Sequence, residues 1–263
     1  MKLITLIENT TDQADLAYEH GLSFYIETGS HRILFDAGQS AAFADNAEKL
    51  GVDLSQVDFA ILSHGHYDHS GGLLRFLELN PTAPVYLHRD AVQPHYNAAD
   101  KDIGLSSDLR NCDRLVFVDD RLELAPGITL SSCNDRHRPH PTDAFGLQME
   151  EHGQLCPDDF RHEQYLLIEE DRKTVCISGC SHKGILNIVD WFRPDILVGG
   201  FHFMKLNPDS PDAEFLTHAA QHLLNTPTTY YTGHCTGDAA YEFLKNIMGD
   251  HLHPLTTGTM LDL

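Results

Sequence analysis

The sequence predicts an α/β fold with a metal site on one rim of its sheets. Three observations carry that expectation. Short apolar runs of strand length alternate with longer amphipathic runs of helix length along the whole chain. The stretch Ser63-His64-Gly65-His66-Tyr67-Asp68-His69-Ser70-Gly71-Gly72 places four metal-ligand side chains, His64, His66, Asp68 and His69, directly after one of the apolar runs. Four times, after residues 62, 178, 198 and 232, a strand-like run ends in a small residue and a histidine. Such a recurrence fits strands converging on a common edge, where α/β proteins build their sites.

In order, residues 2–8 alternate as a first strand, and Thr10 to His20 is a polar loop or short helix. Residues 22–27 and 32–36 form a hairpin around the turn residues Thr28-Gly29-Ser30-His31. Ala41 to Leu50 is a helix with Phe43, Ala44 and Leu50 on its apolar face. Val57 to Leu62 is a buried strand, the ligand loop follows, and the helix over 72–79 stops at Asn80-Pro81. Val85 to His88 is a strand, residues 89–115 are polar and irregular, and two strands at 115–118 and 127–132 are separated by a turn at Pro126-Gly127. From Asn134 to Phe160 the chain is rich in His, Pro and Asp. A long structureless loop is expected there, serving as a lid or substrate-binding insertion. Residues 163–169 and 174–178 make a hairpin, and a helix from Ile185, a strand at 195–198 and a helix over 215–224 follow. A strand at 228–232, a helix over 239–248 and one or two strands from Leu252 complete the chain.

At 263 residues the chain can bury a sizeable core in one domain. Its net charge of -21 disfavours nucleic acid and anionic membrane surfaces as partners and points to a small-molecule substrate. No stretch of ~18 apolar residues suggests a membrane span. The first residues lack signal-peptide architecture, and the six cysteines lack a secreted-scaffold spacing. Reduced thiols and a cytoplasmic location are therefore expected. Oligomeric state is not legible in the sequence.

In an extended segment residues two apart point the same way, so His64 and His66 can share one ion. Asp68 and His69 follow where the chain turns into a helix, placed to hold a second ion beside the first. Imidazole and carboxylate ligands suit zinc first, with iron or manganese as alternatives. A chain with 18 histidines can cluster some of them by chance. The order His-x-His-x-Asp-His between a buried strand and small residues argues for ligands instead.

The stretch resembles the signature of the metallo-β-lactamase superfamily. Glu8-Asn9-Thr10, Glu19-His20-Gly21-Leu22-Ser23, Leu34 to Ser40, Gly179-Cys180-Ser181-His182, Gly199-Gly200-Phe201-His202 and Gly233-His234-Cys235-Thr236-Gly237 extend the likeness over nearly the whole chain. These segments look closest to the branch of metal-dependent hydrolases similar to 7,8-dihydropterin-6-methyl-4-(β-D-ribofuranosyl)aminobenzene-5'-phosphate synthase. The resemblance implies a metallo-β-lactamase-like αββα four-layer sandwich in a single domain over 1–263, with two divalent metal ions. In that superfamily the first motif supplies three His and an Asp, and later strands add a His, a bridging carboxylate and a final His. His234 matches the final His. Cys180 stands where the bridging Asp usually is, either as a softer ligand or as a buried thiol. The remaining His has no clean match: His182 is the better candidate, and His162 lacks the usual glycine-rich context. His202, Lys183 and His140 are assigned to substrate, and Asp36 either orients a ligand His or caps a turn.

Two ions at about 3.5–4 Å lower the pKa of a shared water and clamp substrate oxygens. Asp68 would bind metal and steer the nucleophile or take its proton. The expected function is a metal-dependent hydrolase, or related transferase, acting on a small anionic ester or phosphoester, with a pterin-related metabolite suggested by the branch. The alternative is a non-catalytic metal- or ligand-binding protein, or a redox protein, on the same scaffold.

Overall fold

A computed structural model describes residues 1–263. The first half contains β1 (Lys2–Ile7), β2 (Ser23–Glu27), β3 (Arg32–Phe35), α1 (Ala42–Lys49), β4 (Phe59–Ile61), α2 (Tyr67–Ser70), α3 (Leu73–Leu79), β5 (Val85–His88), β6 (His95–Tyr96), α4 (Ser107–Arg110) and β7 (Leu115–Val118). The second half contains β8 (Arg121–Ala125), β9 (Ile128–Ser131), β10 (Gln148–Glu151), β11 (Gln154–Pro157), β12 (Tyr165–Glu170), β13 (Lys173–Ile177), α5 (Ile185–Phe192), β14 (Ile196–Val198), α6 (Asp212–Leu223), β15 (Thr229–Thr232), α7 (Asp238–Met248), β16 (Leu252–Pro254) and β17 (Met260–Asp262).

Two seven-stranded sheets result, in the orders β17-β1-β2-β3-β4-β5-β7 and β16-β15-β14-β13-β12-β9-β8. Each is antiparallel at one end and parallel at the other: β3, β4, β5 and β7 run parallel, as do β13 to β16. The parallel connections carry helices, as crossovers require. Strand side chains alternate between two cores. Leu3, Phe24 and Ile33 enter a core between the sheets, whereas their neighbours Ile4, Tyr25 and Leu34 enter a core under α1 and α3. Likewise Ile177 and Val198 face the other sheet, while Cys176 and Leu197 pack under α5, α6 and α7. Three apolar layers separate helices, sheet, sheet and helices, which is the expected αββα four-layer sandwich.

The predicted hairpin over 22–36 pairs Phe24 with Phe35 and Glu27 with Arg32. That over 163–178 turns at Asp171 and Arg172, both at positive φ. Three differences are found. Residues 121–125 form a strand, half-exposed at the edge of the second sheet, where a connection was expected. The stretch 134–160 is not structureless, since β10 and β11 form a hairpin within it. That hairpin adds to β6, in the polar stretch 89–115, as a three-stranded sheet. Strands β6, β10 and β11 are short and polar, so hydrophobic alternation could not reveal them. No helix is long and apolar enough to cross a membrane.

Candidate metal centre

The carboxyl ends of β4, β13, β14 and β15 meet at one rim and deliver His64, Cys180, His202 and His234. Side chains cannot intrude where the ligand loops pack. A Cβ on Gly72 would lie 2.1 Å from the carbonyl oxygen of Ala37, and one on Gly179 would lie 2.3 Å from Ser63 Oγ. Asp36, Ser181, His202 and His234 all hold positive φ. Such strain persists only where the surrounding structure enforces it, and it clusters at functional sites.

The hydrogen bonds assign the ring protons. Asp36 is buried, and its Oδ2 accepts from Ser63 Oγ at 2.7 Å and from His69 Nδ1 at 2.7 Å. Ser63 Oγ, having donated to Asp36, accepts from His64 Nδ1 at 2.8 Å. Asn9 Oδ1 accepts from His234 Nδ1 at 2.9 Å. With their Nδ1 atoms taken by these partners, His64, His69 and His234 turn Nε2 inward, where each would offer a lone pair to a bound ion. Those atoms point at one another: His69 Nε2 lies 3.2 Å from His234 Nε2, and His64 Nε2 lies 3.3 Å from His182 Nε2. Although burial opposes its charge, Asp36 and Asp68 raise His69 to about 9, so without metal a proton sits between the His69 and His234 rings, and a bound ion would take its place. Cys180 Sγ is 3.2 Å from His69 Nε2, and Asp68 Oδ2 is 3.4 Å from His234 Nε2 and 3.7 Å from His69 Nε2. The ligand atoms of His64, His66 and His182 form one close group, and those of His64, His69 and Cys180 another. The donor set therefore fits divalent metal ions.

Electrostatics agree. Burial first, and the neighbouring rings second, push His64, His66 and His182 well below the ordinary histidine range. Burial opposes charge on Asp68 as well, but His69 and His234 hold its carboxyl well below the usual range, so it is ionised. Burial raises the Cys180 thiol, with Cys235 adding in the same direction.

All seven sequence-predicted ligands thus come together. His182 rather than His162 faces His64. The His162 ring is turned away, its Nδ1 accepting from the Gly65 N–H at 2.9 Å. His202 lines a cavity of about 300 Å³ beside His182, with both ring nitrogens free of hydrogen bonds. His140 also lines that cavity, but its Nε2 is 2.9 Å from Asp190 on α5.

Lys183 does not reach the cavity, which corrects its assignment to substrate. It is fully buried, and its ammonium donates to Ser132 O at 2.6 Å, Asn134 Oδ1 at 2.8 Å and Glu163 O at 2.9 Å. Glu163 in turn accepts from the backbone N–H groups of His182 and Lys183, pinning the ligand loop. Lys183→Met should leave three acceptors unpaired and cost about 3 kcal/mol, counting each at the low end of the roughly 1–3 for a buried acceptor. The thermal midpoint should fall by about 6–12 °C, at ~2–4 °C per kcal/mol. A raised KM with an unchanged midpoint would instead restore the substrate role.

Several supporting residues escaped the sequence reading. Glu8 accepts the backbone N–H of His234, Asn9 orients its ring, and His20 Nε2 lies 3.4 Å from Asp68 Oδ2 on the solvent side. All three lie in segments that carry the family resemblance, but they sit far from any ligand in sequence. Asp36 does orient the His69 ring. Asp36→Asn should weaken metal binding by about 10–100-fold, as loss of a ligand's carboxylate partner does elsewhere. Competition with a chromogenic chelator measures this, and unaltered affinity would argue that His69 binds no ion.

The αββα fold and this rim of ligands define a class, and residues 18–184 match the family described as the metallo-beta-lactamase superfamily. The chain belongs to that superfamily. Among its relatives is the 7,8-dihydropterin-6-methyl-4-(beta-D-ribofuranosyl)-aminobenzene-5'-phosphate synthase of Methanocaldococcus jannaschii, 29% identical over 292 aligned positions that cover 99% of this chain and 96% of that protein. A solved metal-dependent hydrolase of the beta-lactamase superfamily superposes with a TM-score of 0.85 at 27% identity, covering 100% of this chain and 99% of the other. Zn(2+)-bound PqqB from Methylobacterium extorquens shares the fold at a TM-score of 0.62 and 13% identity, over the full length of both chains.

Proposed function

We propose that this chain is a metal-dependent hydrolase of small ester or phosphoester metabolites, with a binuclear centre. His64, His66 and His182 would hold one divalent ion. Asp68, His69 and His234 would hold the other, with Cys180 reaching between them. The observation that carries this is the convergence of buried ring nitrogens, His69 Nε2 on His234 Nε2 at 3.2 Å and His64 Nε2 on His182 Nε2 at 3.3 Å. Zinc suits the donors best, with iron or manganese as alternatives. When bound, two such ions supply Lewis-acid polarisation of substrate oxygens and acidify a water.

The residues of the chain do the rest. Asp68, held ionised, accepts a hydrogen bond from the attacking water and so orients it. His20 stands beside Asp68, half-exposed, where it can pass a proton to solvent. The cavity of about 300 Å³ is lined by Phe145, Phe201, Phe203 and Phe215, with no Lys or Arg. Planar aromatic walls favour a flat ring, so the anionic group of the substrate would face the metal centre and a ring system would fill the cavity. A pterin-related substrate fits this arrangement, and the synthase relative supports it. The segment over 134–160 supplies Phe145 and Asp143 to one wall and would act as a cover.

The test is turnover on phosphodiesters, lactones and pterin phosphates, with product analysis. Hydrolysis that a chelator abolishes and zinc, iron or manganese restores is the expected result. Release of pyrophosphate with transfer to an acceptor would replace hydrolase by transferase chemistry. Metal binding without turnover on any compound would favour a binding protein.

A further inference from the structure

The closed end of the aromatic cavity carries polar atoms that nothing in the fold satisfies. Among its lining residues His182 is buried and His202 half-buried, whereas Asp143 and Phe215 are exposed. The two imidazoles therefore stand at the inner end and Asp143 and Phe215 at the mouth. The rings lie side by side, with centroids 4.2 Å apart. Phe160 stacks on His182 at 4.4 Å and Phe145 stands 5.5 Å from His202. Three of their four ring nitrogens, His182 Nδ1 and both of His202, are buried without a hydrogen-bond partner. Unpaired buried polar atoms are costly and rare, and a cluster of them beside a cavity calls for a ligand. The other ligand rings make the contrast. Nδ1 of His64, His69 and His234 meets Ser63, Asp36 and Asn9, as the second nitrogen of a metal-binding histidine nearly always meets a partner. His182 turns Nε2 to His64 and has no such partner for Nδ1.

We propose that His202, with His182 Nδ1 beside it, forms the oxyanion-binding end of the cavity and selects phosphate esters over lactones and carboxylic esters. The inference rests on the reading that the substrate fills this cavity. With Nε2 given to an ion, the ring proton of His182 is on Nδ1, and a neutral His202 supplies one further N–H. Two donors then stand together at the inner end. A phosphate ester presents several charged oxygens in one place and can accept from both, in hydrogen bonds strengthened by its charge. The second nitrogen of His202 can accept from the P–OH of a monoanion. A lactone or carboxylic ester offers one neutral carbonyl oxygen and no proton. No other lining side chain competes for the anion: there is no Lys or Arg, the His140 ring is engaged with Asp190, and Ser181 Oγ is paired with Ser178 Oγ. His202 also holds φ at +59°, a conformation kept where the surrounding structure enforces it.

The probe is phenylphosphonate, an aromatic phosphate mimic that cannot be hydrolysed, with neutral benzyl alcohol as its counterpart. Titration calorimetry on zinc-loaded protein measures both, and ions are counted per chain. His202→Phe should weaken phenylphosphonate by about 10–100-fold, the worth of a hydrogen bond to a charged oxygen. Benzyl alcohol and the ion count should stay unchanged. His202→Asn, which keeps an N–H donor and tolerates positive φ, should recover part of the loss. His202→Gly, which suits that backbone, should show the full loss if the Phe variant does not fold. Equal phenylphosphonate affinity in wild type and variants would overturn the inference, as would a loss shared by benzyl alcohol. A missing ion in the variants would make His202 a metal ligand instead and overturn it too. Selective loss of phosphonate affinity in a protein that turns over no ester would support this inference while sinking the hydrolase. Phosphate ester turnover with a KM unchanged by His202→Phe would do the reverse.

Discussion

Asp68→Asn is expected to lower turnover by about 10²–10⁴-fold, the range associated with loss of a positioned acid–base group. The substitution keeps the side chain's shape and removes its charge. Asp68 Oδ2 sits among His69, His234 and His20 at 3.7, 3.4 and 3.4 Å, so it is the negative group shared by these rings. Amide nitrogen or neutral oxygen at that place binds a cation more weakly and orients water less firmly. Measuring kcat at saturating metal separates the two effects. A deficit that added metal repairs identifies Asp68 as a ligand only, whereas one that persists at full occupancy identifies the orienting role. Unchanged kcat at ordinary metal concentration would remove Asp68 from the mechanism.

The metal-free protein is expected to lose stability as pH falls below about 6.5. His64, His66, His162 and His182 are neutral in the fold, mainly because burial opposes their charge. An exposed histidine titrates near 6.5. Below that pH the unfolded chain therefore binds more protons than the folded one, and acid favours unfolding. For His162, pushed down to about 4, the loss between pH 6.5 and 4 is about 3 kcal/mol at ~1.4 kcal/mol per pH unit. The other three rings act in the same direction. Against a total stability of roughly 5–15 kcal/mol, this is a large fraction of what holds the chelated protein folded. Urea titrations at pH 7, 6 and 5 in the presence of chelator measure it. Equal midpoints at all three would mean that the rings are not held neutral. Bound zinc should raise every midpoint and make the acid loss coincide with metal release.

Much of this protein is legible in the sequence because its strands are short, buried and punctuated. The hairpins over 22–36 and 163–178 and the helix that stops before Pro81 follow from local turn chemistry and apolar pattern. So does the ligand loop at 64–69, where spacing alone implies shared direction. The β10–β11 hairpin and the strand at 95–96 were hidden because polar, half-exposed strands carry little alternation. Lys183 shows the limit for single residues. At the start of a helix after a ligand loop, a lysine has the chemistry of a substrate clamp, and only the approach of Ser132, Asn134 and Glu163 makes it a buried tie.

By itself the sequence determined the α/β class, the order of the buried strands and main helices, the first four ligand candidates and the chemistry they suit. Each of these rests on residues close together in the chain, where spacing translates directly into direction. Tertiary structure alone decided that His182 and not His162 faces His64, that Asp36 serves His69 and that Asn9 serves His234. The contacts of Asp36 with His69, His182 with His64 and Asn9 with His234 join residues 33, 118 and 225 positions apart. Their geometry is set by how two sheets and their covering helices pack, which local patterns do not encode.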